Sequence, residues 1–192
     1  LLKMLDMSGS SDFQKNFEEL NIIPMSISYE YEPCDILKAR ELVISRKQKY
    51  VKAEGEDLNS ILVGIQQPKG NVHLNIGAPL TSEEIAEAAL CDKNDRYQLI
   101  RHAVDKRVID GYRLWKTNYI AYDLINQSYK YSHLYETADV EQFVTYMQHQ
   151  LDTVEPGINR ADLRRVFLEI YSNPVVTKEL LEKEKATGSI LL

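Results

Sequence analysis

Apolar residues recur along this chain at two spacings, and the spacing changes from segment to segment. Phe13, Phe17 and Leu20 fall at i, i+4 and i+7, which predicts a helix capped by Ser10, Ser11 or Asp12 and ended by Asn21. A shorter helix over Leu1–Met7 is expected before it, with Gly9 as the stop. Ile22–Tyr29 reads as a strand, with Pro24 near its start or at an edge because it lacks an N–H. Asp35 is expected to cap a helix running to about Tyr50. Leu58, Ile61, Leu62 and Ile65 predict a second helix, broken by Pro68-Lys69-Gly70. Val72-His73-Leu74-Asn75-Ile76 alternates apolar and polar, the pattern of a half-buried strand, and Gly77 and Pro79 end it.

From Thr81 onward the pattern predicts helices alone. Thr81 and Glu84 have capping-box spacing. Helical segments are expected over 82–91, 95–109, 117–130, 139–153, 160–172 and 175–186. Breaks are expected at 92–94, 110–111, 132–137, 155–157 and 173–174. The fold expected is therefore an α/β part over 1–80, a mixed sheet with helices, followed by an all-helical region over 81–192. Helix dominates overall.

Hydrophobic residues make up 44% and charged residues 27% of the 192, enough apolar material for a folded core. No apolar run approaches the roughly 18 residues of a membrane-spanning helix. Lys3 and Asp6 interrupt Leu1–Met7, so no signal peptide is expected. Cys34 and Cys91 are too far apart to be a disulfide framework, which points to a reducing compartment. A net charge of -6 argues against sequence-independent nucleic-acid binding. One stretch departs from that balance. Lys38, Arg40, Arg46, Lys47, Lys49 and Lys52 face only Glu41 as an acid within 38–52. Such a cluster can hold a phosphate or an anionic membrane surface, and it also fits a solvated helix face.

Other candidate chemistry is sparse. His102 and Asp105, and His149 and Asp152, share helix faces at i, i+3, as a metal site or acid–base pair would need. Neither has an obvious third ligand, and each equally suits a surface pair. No metal or cofactor is expected. The eight glycines are scattered and form no phosphate-cradling loop. No serine sits in a nucleophile elbow. Six of the twelve tyrosines lie between Tyr112 and Tyr135. Tyr112, Tyr119 and Tyr122, with Trp115, form a stripe suited to packing or to a ligand groove.

Ile22-Ile23-Pro24-Met25-Ser26-Ile27-Ser28 resembles the fourth block of the phospholipid/glycerol acyltransferase family, an apolar strand around a proline. Gly70-Asn71-Val72-His73-Leu74-Asn75-Ile76-Gly77-Ala78-Pro79-Leu80 resembles the later strand of the same fold, which ends Gly-x-Pro. Tyr29-Glu30-Tyr31-Glu32-Pro33-Cys34-Asp35, Gly55-Glu56-Asp57-Leu58-Asn59-Ser60-Ile61 and Asn118-Tyr119-Ile120-Ala121-Tyr122-Asp123 are similar to a bacterial branch of glycerol acyltransferases. The resemblance implies transfer of a fatty acyl group from acyl-CoA or acyl carrier protein to a glycerol-phosphate or lysophospholipid acceptor. It implies work at the cytoplasmic membrane face. Pro24 and Ser26 would shape the site wall. Charge, not the family pattern, adds Lys38, Arg40, Arg46 and Lys47 as contacts to anionic headgroups.

The family's His-x-x-x-x-Asp, in which the histidine is the general base, is absent. The fifth residues after His73, His102, His133 and His149 are Ala78, Arg107, Ala138 and Val154. The Phe-Pro-Glu-Gly block is absent too. Both blocks precede the proline strand in the family, so a start inside a longer protein is expected, with this piece inactive alone and its first 80 residues either self-associating or less ordered than the helical part. The competing expectation is a non-catalytic helical interaction module with a tyrosine-rich face.

Overall fold

The computed structural model describes residues 2–7 and 12–188. The expected stop at Gly9 and the alternative caps Ser10 and Ser11 lie outside the described residues. The elements are α1 (Leu2–Asp6), α2 (Phe13–Leu20), β1 (Met25–Tyr29), α3 (Asp35–Ser45), α4 (Glu56–Gln66), β2 (Val72–Ile76), α5 (Ser82–Ala89), α6 (Asp95–Gly111), α7 (Lys116–Asn126), α8 (Thr137–Asp152) and α9 (Arg160–Thr187), with a 3-10 turn at Ser132–Leu134. The fold is mixed α/β and dominated by helix, as expected.

β1 and β2 pair as a two-stranded sheet. Gly77 N–H donates to Pro24 O and Glu30 N–H to Asn71 O, each at 2.9 Å. As one strand rises the other falls, which makes the pair antiparallel. The two strands with family resemblance thus lie side by side. Their faces are reversed from the ordinary arrangement. Ser26 and Ser28 are buried, while Met25 and Ile27 are 54% and 46% exposed. Val72, Leu74 and Ile76 are likewise exposed. The period-two pattern located the strand correctly, but the polar side is the one turned inward.

α4 is reversed in the same sense. Leu58, Ile61, Leu62 and Ile65 are all exposed, and the helix has no buried residue. Cys34 Sγ donates to Ser60 O, and a Cβ at Gly64 would lie 3.3 Å from that sulfur. The polar and small side of α4 therefore faces the protein.

The chain divides into two compact units. The first comprises 1–27, 73–113 and 178–192, and the second comprises 28–72 and 114–177. The division does not fall at residue 80, because the helices after Thr81 contribute to both units. In the first unit Phe13, Phe17, Leu80, Ile85, Ala88, Tyr97 and Ile100 form the core. Asp12 caps α2 through Lys15 N–H, and the Thr81–Glu84 capping box forms as expected. In the second unit Ile36, Ala39 and Val43 of α3 pack with Ile120 of α7, Phe143 and Met147 of α8, and Leu163, Phe167 and Tyr171 of α9.

One expected break is absent. α9 runs through Pro174, although an internal proline costs about 3 kcal/mol by removing a donor and crowding the preceding turn. Tyr171, Ser172 and Val175 around it are buried, so packing on both sides of the proline holds the helix. Asn118 Nδ2 also donates to Tyr171 O at 2.8 Å, which ties the turn before the proline to α7, although the carbonyl that loses its helical donor is that of Ile170.

Candidate functional site

Of the residues singled out in the sequence, Pro24 and Ser26 belong to the first unit and the basic stretch to the second. Pro24, just before β1, and Ser26, on its inward side, are both buried. Ser26 Oγ has no hydrogen-bond partner among the described residues. It stands 2.9 Å from where a Cβ on Gly111 would be.

The basic stretch is compensated in space. Lys38 pairs with Glu32, Arg40 with Glu155 at 2.6 Å, Arg46 with Glu169 at 2.8 Å, Lys47 with Asp162 at 3.2 Å and Lys52 with Asp57. Glu155, Asp162 and Glu169 come from the far end of the sequence, so a count over 38–52 cannot see them. Arg40 engages Glu155 through Nε and Nη2 and also donates to Tyr50 Oη. The Glu155 carboxylate raises the Arg40 pKa further above its ordinary value. Lys38, Arg40, Lys52, Tyr50, Glu56 and Glu155 share a cleft of about 470 Å³ with Cys34. Its three cations face four carboxylates, Glu41, Glu56, Asp57 and Glu155, so the cleft has no basic excess, as in an ion-pair network.

The most enclosed titratable group was missed as such. Asp35 is fully buried at the first position of α3. Its Oδ2 accepts from Tyr171 Oη at 2.7 Å and Tyr146 Oη at 2.8 Å, and its Oδ1 accepts from Ile36 N–H. Burial raises the Asp35 pKa, and the hydroxyl donors oppose that rise only in part. Tyr171 Oη in turn accepts from Glu32 N–H. The sequence marked Asp35 as a helix cap. The signal for more was its apolar neighbour Ile36, which enters the core.

The tyrosine-rich segment folds around Asp123. Asp123 is 4% exposed and accepts from Ser128 Oγ, Tyr135 Oη and Tyr131 N–H. Burial alone would raise its pKa, but these donors outweigh it and hold the carboxyl below its ordinary value. Tyr135 is correspondingly pushed up to about 12, by burial first and then by the bond to Asp123. Beside them lies a cavity of about 520 Å³ with Ile120, Leu124 and Val140 on its apolar side. Tyr119 and Tyr122 both contact Tyr131, at 5.0 and 5.2 Å between ring centroids. Lys130 Nζ stands 5.3 Å from the Tyr122 ring and 5.1 Å from the Tyr131 ring.

The His102–Asp105 pair does not form as spaced, and Asp152 accepts from Gln148 Nε2 at 2.9 Å. His102 Nε2 lies 2.7 Å from Glu184 Oε1, and Asp105 faces Arg101 instead. Among the described residues no group of His, Cys, Asp and Glu could hold a metal ion. No described helix is long and apolar enough to cross a membrane. Comparison of the chain with protein-family models, curated proteins and solved structures gives no match.

Proposed function

We propose that this chain is the C-terminal, non-catalytic part of an acyltransferase of the phospholipid/glycerol acyltransferase type. The whole enzyme transfers a fatty acyl group from acyl-CoA or acyl carrier protein to a glycerol-phosphate or lysophospholipid acceptor. It works as a peripheral protein at the cytoplasmic face of the membrane. One observation carries the reading. The two strands with family resemblance pair in one ribbon whose apolar side chains point outward. A sheet normally buries that side against another layer. A partial sheet, with its covering layer supplied by the catalytic segment, accounts for both the pairing and the reversal. The general base and its aspartate belong to that other segment. Lys38, Arg40, Arg46 and Lys47 contribute attraction to anionic headgroups, reduced by their acidic partners.

The test is acyl transfer, followed by thiol release from acyl-CoA with lysophosphatidate as acceptor. The whole protein is expected to turn over and to lose activity when the histidine of its His-x-x-x-x-Asp is replaced by Ala. The 192-residue chain alone is expected to match the buffer blank. A whole protein with neither the motif nor turnover would sink this reading. It would leave the second, a helical interaction module, which the cavity beside Asp123 and its tyrosine cluster favour.

A further inference from the structure

We infer that the outer edge of β2 is a pairing surface for a second copy of this chain. The register given by the Pro24–Gly77 and Glu30–Asn71 bonds settles which backbone groups point where. Residues 73 and 75 of β2 turn their N–H and C=O toward β1, and Val72, Leu74 and Ile76 turn theirs away. Those three residues are also 50%, 56% and 66% exposed. Apolar side chains and outward backbone groups thus coincide on the same positions.

Natural sheet edges are blunted by charges, prolines or bulges. β2 has no charged residue and no proline within it. A two-stranded ribbon is marginal in water, and added strands stabilise it. A lipid surface is a poor occupant of such an edge, because hydrocarbon leaves outward N–H and C=O groups unpaired. A polypeptide strand satisfies them.

The strand that fits best is β2 itself. A two-fold axis through Leu74 sets Val72 against Ile76 of the second copy and Leu74 against its own counterpart. All the outward groups of both strands then pair. The apolar side chains of both copies fall on one continuous four-stranded face, and His73 and Asn75 fall on the other. Such a contact is isologous, so it closes as a dimer. Edge pairing over five residues buries far less than the roughly 1,600 Å² of a standard interface. The dimer is therefore reversible and grows with concentration. This inference uses the edge of the ribbon, not its face, and does not depend on the acyltransferase reading.

Sedimentation velocity over a wide range of protein concentration tests it. Wild type is expected to shift from monomer to dimer. Leu74→Pro removes an outward N–H while sparing the ladder toward β1, and should weaken dimerisation roughly tenfold or more. Ile27→Pro makes the same change on the outer edge of β1 and should leave the dimer intact. Leu74→Lys keeps the N–H but sets like charges opposite each other at the axis. It should also abolish the dimer, and it covers the case in which the proline variant fails to fold. Hydrogen exchange at the amides of Val72, Leu74 and Ile76 should slow as concentration rises. A chain monomeric at every concentration overturns the inference. So does a dimer that survives Leu74→Lys, or one lost in a folded Ile27→Pro.

Discussion

Gly111 ends α6 directly against the Asn75 side chain: a Cβ at position 111 would stand 2.0 Å from Asn75 Nδ2 and 2.6 Å from its Cγ. The helix can approach the inward face of the ribbon this closely only through a residue without a side chain. Gly111→Ala should gain a few tenths of a kcal/mol of helix propensity and lose more to overpacking, for a net loss of about 1–2 kcal/mol. Urea denaturation measures it. Adding Asn75→Ala should restore at least half of the loss, and strict additivity of the two changes would show that the contact is not the cause.

Asp35 holds the buried Tyr171 hydroxyl and the half-buried Tyr146 hydroxyl, so Asp35→Ala should cost about 3 kcal/mol by leaving both without their acceptor. Asp35→Asn keeps one acceptor oxygen and should cost less. Because the folded pKa is raised, the protonated form is the favoured one. The contribution of this titration is full below the ordinary aspartate value of about 3.9. It declines as pH rises through the higher folded value. Asp35→Asn should therefore narrow its deficit against wild type as pH moves from acid toward neutral. A deficit that widens over that interval would contradict the assignment.

Tyr135 and Asp123 titrate in opposite senses. Tyr135 is pushed up to about 12, so its contribution is complete below the ordinary tyrosine value of about 10 and is lost as pH climbs to the folded value. Asp123 is held low, so its contribution is present above about 3.9 and is lost as pH falls through its folded value. Burial also raises Tyr146 and Tyr171, so ultraviolet titration should show several late tyrosinates, and Tyr135→Phe should reduce their number by one. Tyr135→Phe should also cost about 1–2 kcal/mol at neutral pH, the worth of a bond to an ionised acceptor.

Arg107 fastens the turn after β2. It donates to Ala78 O, Pro79 O and Ala103 O and forks onto Glu84 at 2.7 and 2.9 Å. Arg107→Lys keeps the charge but not the planar fork. It should lose about 1–2 kcal/mol, nearly as much as Arg107→Ala. Thermal unfolding of the two variants side by side checks this, and a lysine variant as stable as wild type would refute the role of geometry.

Anionic vesicles should bind the chain weakly and release it as salt rises. Each cation near such a surface contributes about 1 kcal/mol when unpaired, but Lys38, Arg40, Arg46 and Lys47 already have carboxylate partners. Replacing Glu155 and Glu169 by Gln should therefore strengthen binding. Co-sedimentation with vesicles reads this directly, and no gain in the double variant would remove the basic stretch as a contact.

Local spacing made much of this fold legible. Asp12, Asn21 and the Thr81–Glu84 box mark helix ends through bonds within a few residues, and those ends formed as read. The alternation over 72–76 located a strand but not its buried side, because a period of two names two faces and only the rest of the protein chooses between them. The spacing of Leu58, Ile61, Leu62 and Ile65 likewise located a helix without naming the side it turns inward. Asn173-Pro174 read as a break because proline is locally unfavourable there, while the packing that overrides it comes from residues far away in sequence. The candidate site was the least legible part. The partners of Lys38, Arg40, Arg46 and Asp35 come from positions over a hundred residues distant or from neighbours with no motif to announce them. Asn118 and Asp123, noticed for their resemblance, are buried hydrogen-bonding hubs.

The outward-facing leucines and isoleucines of α4 and of the ribbon bear on the lifetime of this polypeptide in a cell. Chaperones and proteases recognise short apolar stretches that a finished protein keeps inside, and a chain that presents them is triaged continuously. Abundance would then follow how fast those stretches are covered after synthesis, and a shortage of whatever covers them would be felt first as faster turnover.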